Sequence, residues 1–217
     1  MIDLDNKIFV AGHNGMVGSA IVRRLKSLGA SQIYTANRSE LDLTNQLEVD
    51  NYFKKHQFSF VYNAAAKVGG IVGNANYPAD FILQNIAIQN NISSACLLTD
   101  VERHVFLGSC CIYPKFCAQP MREEYLLTGE LEPTNRSYAV AKIAGIVSAQ
   151  ALNEQYGLKS VCPMPINLFG EGDNWDPVNS HIIPGLMRRF HFAKLAGEKE
   201  SVIWGSGKVQ REYMHVD

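Results

Sequence analysis

A chain of 217 residues, 47% hydrophobic and 19% charged, has the composition of an ordinary soluble globular protein and the length for one good core with a small appendage. Its formal net charge of −1 gives no electrostatic case for nucleic acid or an anionic membrane, and no apolar run is long enough to span a bilayer. The opening residues Met1 to Lys7 have neither the basic end nor the apolar stretch of a signal peptide. The five cysteines (Cys96, Cys110, Cys111, Cys117 and Cys162) are odd in number and form no C-x-x-C pair, which predicts free thiols, a cytoplasmic location and no metal site.

Lys7 to Ala11 is a short apolar run that reads as a buried strand. Gly12-His13-Asn14-Gly15-Met16-Val17-Gly18 follows at once, then a helical run from Ser19 to Leu28. In a strand–turn–helix unit, Gly12 permits the tight turn, Gly15 lets backbone approach a pyrophosphate, and Gly18 lets helix and strand pack closely. The phosphates of a dinucleotide would meet the free N–H groups and dipole at the helix start; a purely structural turn is the competing reading. Gly29 ends that helix, and Gln32 to Ala36 reads as the second strand. Asn37 and Arg38 stand where an acidic residue would meet a free ribose hydroxyl, so Arg38 favours a 2′-phosphate and hence NADP. Asp42 and Leu43 are placed to border the adenine.

A helix over Gln46 to His56 and a strand over Phe58 to Tyr62 come next, with the small residues Ala64, Ala65 and Ala66 at the strand's end. Lys67 to Gly73 reads as a flexible glycine-rich loop, and Pro78 opens a helix to about Thr99. His104 to Leu107 is the fourth strand, followed by Gly108-Ser109-Cys110-Cys111. Ser109 is placed to hydrogen-bond a substrate carbonyl; it lacks the G-x-S-x-G elbow of a nucleophile. Cys111 is either a proton carrier with a lowered pKa or a small buried thiol.

Pro133 and Thr134 start a helix that runs from Ser137 to Tyr156. Tyr138 and Lys142, four residues apart, share one face of it, and an ammonium beside the phenol is expected to favour the phenolate. By itself the pair reads first as a surface tyrosine beside a solvated lysine, and gains weight from what lies upstream. A fifth strand over Ser160 to Pro165, a polar loop over Glu171 to Asn179, a basic helix over Leu186 to Ala193 and a short strand over Val202 to Trp204 complete the reading. His181 precedes the basic helix and has the side chain of a near-neutral acid or base. Arg188 and Arg189 either reach a diphosphate or face solvent.

The strand–helix alternation predicts an α/β, doubly wound parallel (Rossmann) sheet. With Gly12, Gly15 and Gly18, Ala64 to Ala66, Ser109, and Tyr138 with Lys142, the chain resembles the extended short-chain dehydrogenases/reductases. Its GSCCIYPK, NSHIIP and RRF stretches are similar to the branch that epimerises and reduces GDP-4-keto-6-deoxy-mannose. The resemblance implies an NADP-dependent enzyme with a GDP-sugar substrate, C3 and C5 epimerisation and C4 reduction, and a homodimer built on the two long helices. Another nucleotide-sugar epimerase or a non-catalytic NADP-binding sensor are the alternatives.

The implied catalytic set is Ser109, Cys111, Tyr138, Lys142 and His181, with Cys111 and His181 as base and acid. The resemblance also implies dinucleotide contacts from the glycine loop, Ala64 to Ala66, Leu107, Gly108, Tyr138, Lys142, Pro165, Asn167, Leu168 and His181. Arg189, Trp204 and Arg211 would hold the sugar nucleotide. Asn14 stands where the resemblance implies an arginine for the 2′-phosphate, which weakens the preference for NADP. The implied division is a dinucleotide-binding domain over 1–168 and a partial, truncated substrate-binding region over 169–217, because the chain stops at His215-Val216-Asp217 where the family continues.

Overall fold

The computed structural model describes residues 4–177, 179–203 and 205–217. Five parallel strands form the central sheet: β1 (Ile8–Ala11), β2 (Ile33–Tyr34), β3 (Phe60–Asn63), β4 (Arg103–Phe106) and β5 (Ser160–Val161), in the order β2-β1-β3-β4-β5. The register runs Ile8 to Ala11 of β1 against Phe60 to Asn63 of β3. The sheet is wound outward in both directions from β1 and β3, so a crevice opens beyond their carboxyl ends.

Side chains alternate across this sheet as the strand period requires. Ile8 and Val10 face α1 (Met16–Ser27), packing with Leu25, Ile21 and Val22. Phe9 and Ala11 face the other way, into a core with Val49 and Phe53 of α2 (Gln46–His56) and Ile92 and Cys96 of α4 (Pro78–Leu98). Helix α2 starts at Asn45, whose side chain accepts from Leu47 N and Glu48 N. Helix α5 (Arg136–Tyr156) ends at Gly157, φ +74°, and packs along α4. Gln89 of α4 donates to the Ala141 carbonyl of α5 at 2.7 Å, and Gly145 leaves room for the Phe106 ring.

Several boundaries differ from the sequence reading. Helix α1 begins at Met16, directly on the glycine loop, not at Ser19. Strands β2 and β5 have only two residues each, and β3 is shifted to Phe60–Asn63. The basic helix, α6 (Ile182–Leu195), starts before its expected Leu186, because Pro184 fits a first turn that needs no N–H from it.

The loop from Lys67 to Gly73 is not the flexible segment expected. Asn85, buried on α4, accepts from Lys67 N at 2.8 Å and donates to Lys67 O at 3.0 Å. A short helix, α3 (Ile71–Asn76), follows, and Asn74 donates to the Gly69 and Gly70 carbonyls. Val202 and Ile203 are not a strand, and Trp204 lies outside the described residues. A strand the sequence did not announce, β7 (Tyr213–His215), pairs in parallel with β6 (Asn167–Phe169) as a separate two-stranded sheet. An ion pair between Arg23 of α1 and Asp217 ties this sheet to the first.

Burial of His104 in the core couples stability to pH. His104 of β4 has no exposure, meets Ser160 Oγ on β5 at 3.1 Å through Nδ1, and is held down to about 4 by desolvation. Its folded pKa lies below its ordinary value of 6.5, so its contribution is present above pH 6.5 and lost as pH falls through 4. We expect this one group to remove on the order of 3 kcal/mol of stability between those limits. Urea unfolding at pH 7 and pH 4.5 should show a steeper loss for the native chain than for His104→Asn; equal slopes would remove His104 from the account.

Candidate active site

The carboxyl end of β4 carries most of the site. Gly108 N donates to Pro163 O at 2.9 Å and Cys110 N to Pro165 O at 3.2 Å, which lashes the segment after β4 to the one after β5. A Cβ at Gly108 would stand 2.4 Å from the Met164 sulfur and 3.2 Å from the Pro163 carbonyl oxygen, so a larger residue would have to push the methionine aside. Ser109 caps a one-turn 3₁₀ helix, Cys110–Ile112, by accepting from Cys111 N at 3.2 Å. Further along, Lys115 N donates to Glu130 O and the Lys115 ammonium pairs with Glu132 at 2.8 Å. Glu132 in turn caps the 3₁₀ turn Pro133–Asn135 that opens α5. The turn after β4 and the start of α5 are thereby held together.

Helix α5 presents Tyr138 and Lys142 to this turn. Lys142 is 4% exposed; its Nζ donates to the Leu107 carbonyl at 2.7 Å and lies 4.7 Å from the Phe106 ring centre and 5.9 Å from that of Tyr138. Desolvation pulls Lys142 down to about 8. Tyr138 moves the opposite way from the expectation. Burial raises its phenol above the ordinary tyrosine range, the charge of Cys111 adds to this, and a hydrogen bond with Ser109 offsets only part. The phenol, not the phenolate, is the resting form.

Cys111 is lowered from the ordinary thiol value. The hydrogen bond from the Cys110 thiol is the largest cause, opposed by burial and helped by Ser109 and the nearby charge of His181. Ser109 thus lies within hydrogen-bond reach of both Cys111 and Tyr138. His181, the residue before α6, is 47% exposed and places Nδ1 3.5 Å from Asp173 Oδ1. The Asp173 side chain is only 5% exposed, and its Oδ2 is buried with no hydrogen-bond partner. A carboxylate there favours the tautomer with hydrogen on Nδ1 and leaves Nε2 for a reacting atom. Asp173 was missed in the sequence. Only its place eight residues before His181 in a polar loop would have pointed to it.

The crevice beside this cluster is lined by the glycine loop. Gly12 has φ +80°, and a Cβ there would stand 2.7 Å from the Ala64 carbonyl carbon at the end of β3. A Cβ on Gly18 would fall on the Gly12 carbonyl. Helix α1 has no side-chain cap and no acidic residue in its first turn, so its N–H groups stay open to an anion. The ring Nδ1 of His13 is buried there without a partner. Asn14 is exposed on the loop, and Arg38 is exposed beyond β2, close enough to Asp42 for its charge to be felt. Asp42 itself is engaged by Thr44 N and Oγ1.

Ser109, Cys111, Tyr138, Lys142 and His181 are therefore linked by contacts and charge interactions between neighbours, and the charge of Arg211 reaches them at Cys110. Arg189 donates to Val202 O at 2.7 Å, and Asn167 to Glu212 O at 3.1 Å within the β6–β7 unit. Among the described residues no group of His, Cys, Asp and Glu is placed to hold a metal ion, and no helix is long and apolar enough to cross a membrane.

Comparison with known proteins gives the family. The model of the NAD dependent epimerase/dehydratase family matches residues 8–217. The chain is 52% identical over 217 residues to GDP-L-fucose synthase 1 of Arabidopsis thaliana, covering 100% of this chain and 67% of that protein. It is 51% identical over 211 residues to GDP-L-fucose synthase of Escherichia coli, covering 97% and 66%. A GDP-L-fucose synthetase from Naegleria fowleri bound to NADP superposes with a TM-score of 0.88 at 29% identity, over 100% of this chain and 71% of that one. The chain spans about two thirds of the length of these relatives. On the match across its length and the relatives' identity, the chain belongs to the NAD dependent epimerase/dehydratase family.

Proposed function

We propose that this chain carries the NADPH-dependent conversion of GDP-4-keto-6-deoxy-D-mannose to GDP-L-fucose, with epimerisation at C3 and C5 and reduction at C4. The observation that carries the reading is the sorting of protons in one cleft: Cys111 is lowered toward thiolate while Tyr138, beside it, is raised and stays protonated. A plain reductase needs the acid; an epimerase also needs the base. The likeness to GDP-L-fucose synthases supports the choice of sugar, and a neighbour solved with NADP supports the cofactor.

The C4 ketone acidifies the hydrogens on C3 and C5. Ser109 and Tyr138 hydrogen-bond the ketone oxygen and stabilise the negative charge that develops there. Cys111 takes a proton from one face of the sugar, and His181, oriented by Asp173, returns one to the other. Tyr138 then supplies the proton to the C4 oxygen, and Lys142 eases that transfer. The backbone at Gly12, Gly15 and Gly18 and the start of α1 fit the pyrophosphate of NADP, and Arg38 its 2′-phosphate. Bound there, NADPH supplies the hydride to C4. Arg211 and Arg189 serve the sugar nucleotide. Residues 1–168 act as the dinucleotide domain and 169–217 as part of the substrate-binding region, with β6 straddling the boundary between them and its partner β7 in the second. Five free cysteines suit a reducing cytoplasm.

With GDP-4-keto-6-deoxy-D-mannose, the chain should oxidise NADPH, and Cys111→Ser should lower kcat by about 100-fold or more. Absence of oxidation by a chain that binds NADPH would overturn the reading. We also propose a homodimer through α4 and α5, whose exposed faces carry Leu83, Ile86, Val140 and Val147. Light scattering should report twice the monomer mass, reduced toward one by Leu83→Glu with Val147→Glu; a monomer at all working concentrations would reject it.

A further inference from the structure

Between the Ser109 turn and α5 the chain makes a loop whose two ends are tied to each other. Lys115 N donates to Glu130 O at 2.8 Å, and a Cβ on Gly129 would stand 3.2 Å from Pro114 Cβ. Glu132 uses both carboxylate oxygens at this neck. Its Oε2 meets the Lys115 ammonium at 2.8 Å, while its Oε1 accepts from Thr134 N at 3.4 Å and from Thr134 Oγ1 at 3.3 Å. Lys115 follows Cys111 by four residues, and Thr134 precedes Tyr138 by four. One carboxylate therefore spans from the segment that carries Cys111 to the turn that opens α5. We propose that Lys115 and Glu132 are positioning residues, which set how the Ser109–Cys111 turn sits against Tyr138 and Lys142. Their importance rests on the proton-transfer roles assigned to those groups under the proposed function.

Apolar packing fixes the depth of this turn but not its tilt. Ile112 is fully buried against Phe106, Ile143 and Ile146, with Leu126 and Leu131 packed around the cluster. Such contacts are non-directional. Orientation comes from two polar ties to α5, one on each side of the turn. Before it, Lys142 Nζ donates to Leu107 O at 2.7 Å, two residues ahead of Ser109. After it, Lys115 meets Glu132 at the helix start. Either tie alone leaves the turn free to rotate about that point; the two together define its direction on the helix. Proton transfer depends steeply on such placement. The Lys115 and Glu132 side chains are 40% and 35% exposed, so the ion pair itself adds little to stability. Its removal thus separates orientation from folding.

The test follows the Cys111 thiol in the folded chain, without substrate. The titratable groups around it are Cys110 on its own turn, Tyr138 on α5 and His181 before α6. The pH dependence of iodoacetamide alkylation at Cys111, read by mass spectrometry, gives the midpoint at which its thiolate forms. Glu132→Gln keeps an acceptor for Thr134 and loses the charge; Lys115→Met keeps the stem and loses the ammonium. Each should raise the midpoint by about one unit, a roughly tenfold loss of thiolate at a given pH, with Tm within a few degrees of the native chain. The double variant should move no further than either single one, because both remove the same contact. Lys115→Arg, which keeps a cation for the carboxylate, should keep the native midpoint. With NADPH and GDP-4-keto-6-deoxy-D-mannose, each single variant should lower kcat about tenfold and leave KM unchanged. An unchanged midpoint in the single variants, or shifts that add in the double one, would overturn the positioning role. So would loss of the native circular dichroism spectrum, which would make the pair a folding element. Failure of the native chain to turn over would count against the substrate reading alone, because the thiol titration is read without it.

Discussion

The arrangement depends on one close approach of backbone to backbone, where the turn after β1 lies on the end of β3. Gly12 sits against the Ala64 carbonyl, and Gly18 of α1 sits against Gly12 in turn. No side chain fits in either gap. The contact fixes the start of α1 over the crevice between β1 and β3, so its unpaired N–H groups face the place where the sheet reverses its winding. The next strand, β4, delivers Ser109 and Cys111 to the same crevice, in a parallel register that aligns Asn63 with Phe106. The glycine loop and the Ser109–Cys111 turn thus become neighbours through sheet order alone.

Within that frame the site concentrates polar burial that a stability-driven core would avoid. Lys142 is almost fully buried and donates to a backbone carbonyl, which satisfies one donor but does not offset a buried charge as a carboxylate would. Asp173 holds a buried oxygen with no hydrogen-bond partner, and Tyr138 is half-buried beside the lowered thiol of Cys111. Their surroundings move protonation apart: burial makes the Lys142 amine easier to deprotonate and the Tyr138 phenol harder, while a hydrogen bond from Cys110 lowers the Cys111 thiol. An arrangement that costs stability and separates acids from bases is what proton transfer to and from carbon requires.

Much of this was legible in the sequence because it rests on local rules. Glycine spacing after a short apolar run marked the strand–turn–helix unit, the four-residue spacing of Tyr138 and Lys142 marked a shared helix face, and Pro78 marked the start of α4. What the sequence hid was set by distant partners. Lys67 to Gly73 reads as flexible until Asn85, eighteen residues away, is seen to bind both its N–H and its carbonyl. Strand β7 has three residues and exists only because β6 pairs with it. The tyrosine's shift was misjudged because spacing brought the lysine to the same face but not its ammonium to the phenol oxygen. That ammonium is turned to Leu107, and burial decides the sign. Asp173 carries no motif; its importance appears only from its burial and its contact with His181.

The most direct measurement is turnover and thermal unfolding of Lys142→Met beside the native chain, both assayed with NADPH and GDP-4-keto-6-deoxy-D-mannose. If the buried ammonium is kept for proton transfer, the apolar replacement holds Tm within a few degrees or raises it, while kcat falls by about 100-fold or more. A large fall in Tm with kcat per folded molecule retained would contradict this, and would make Lys142 a scaffold residue instead.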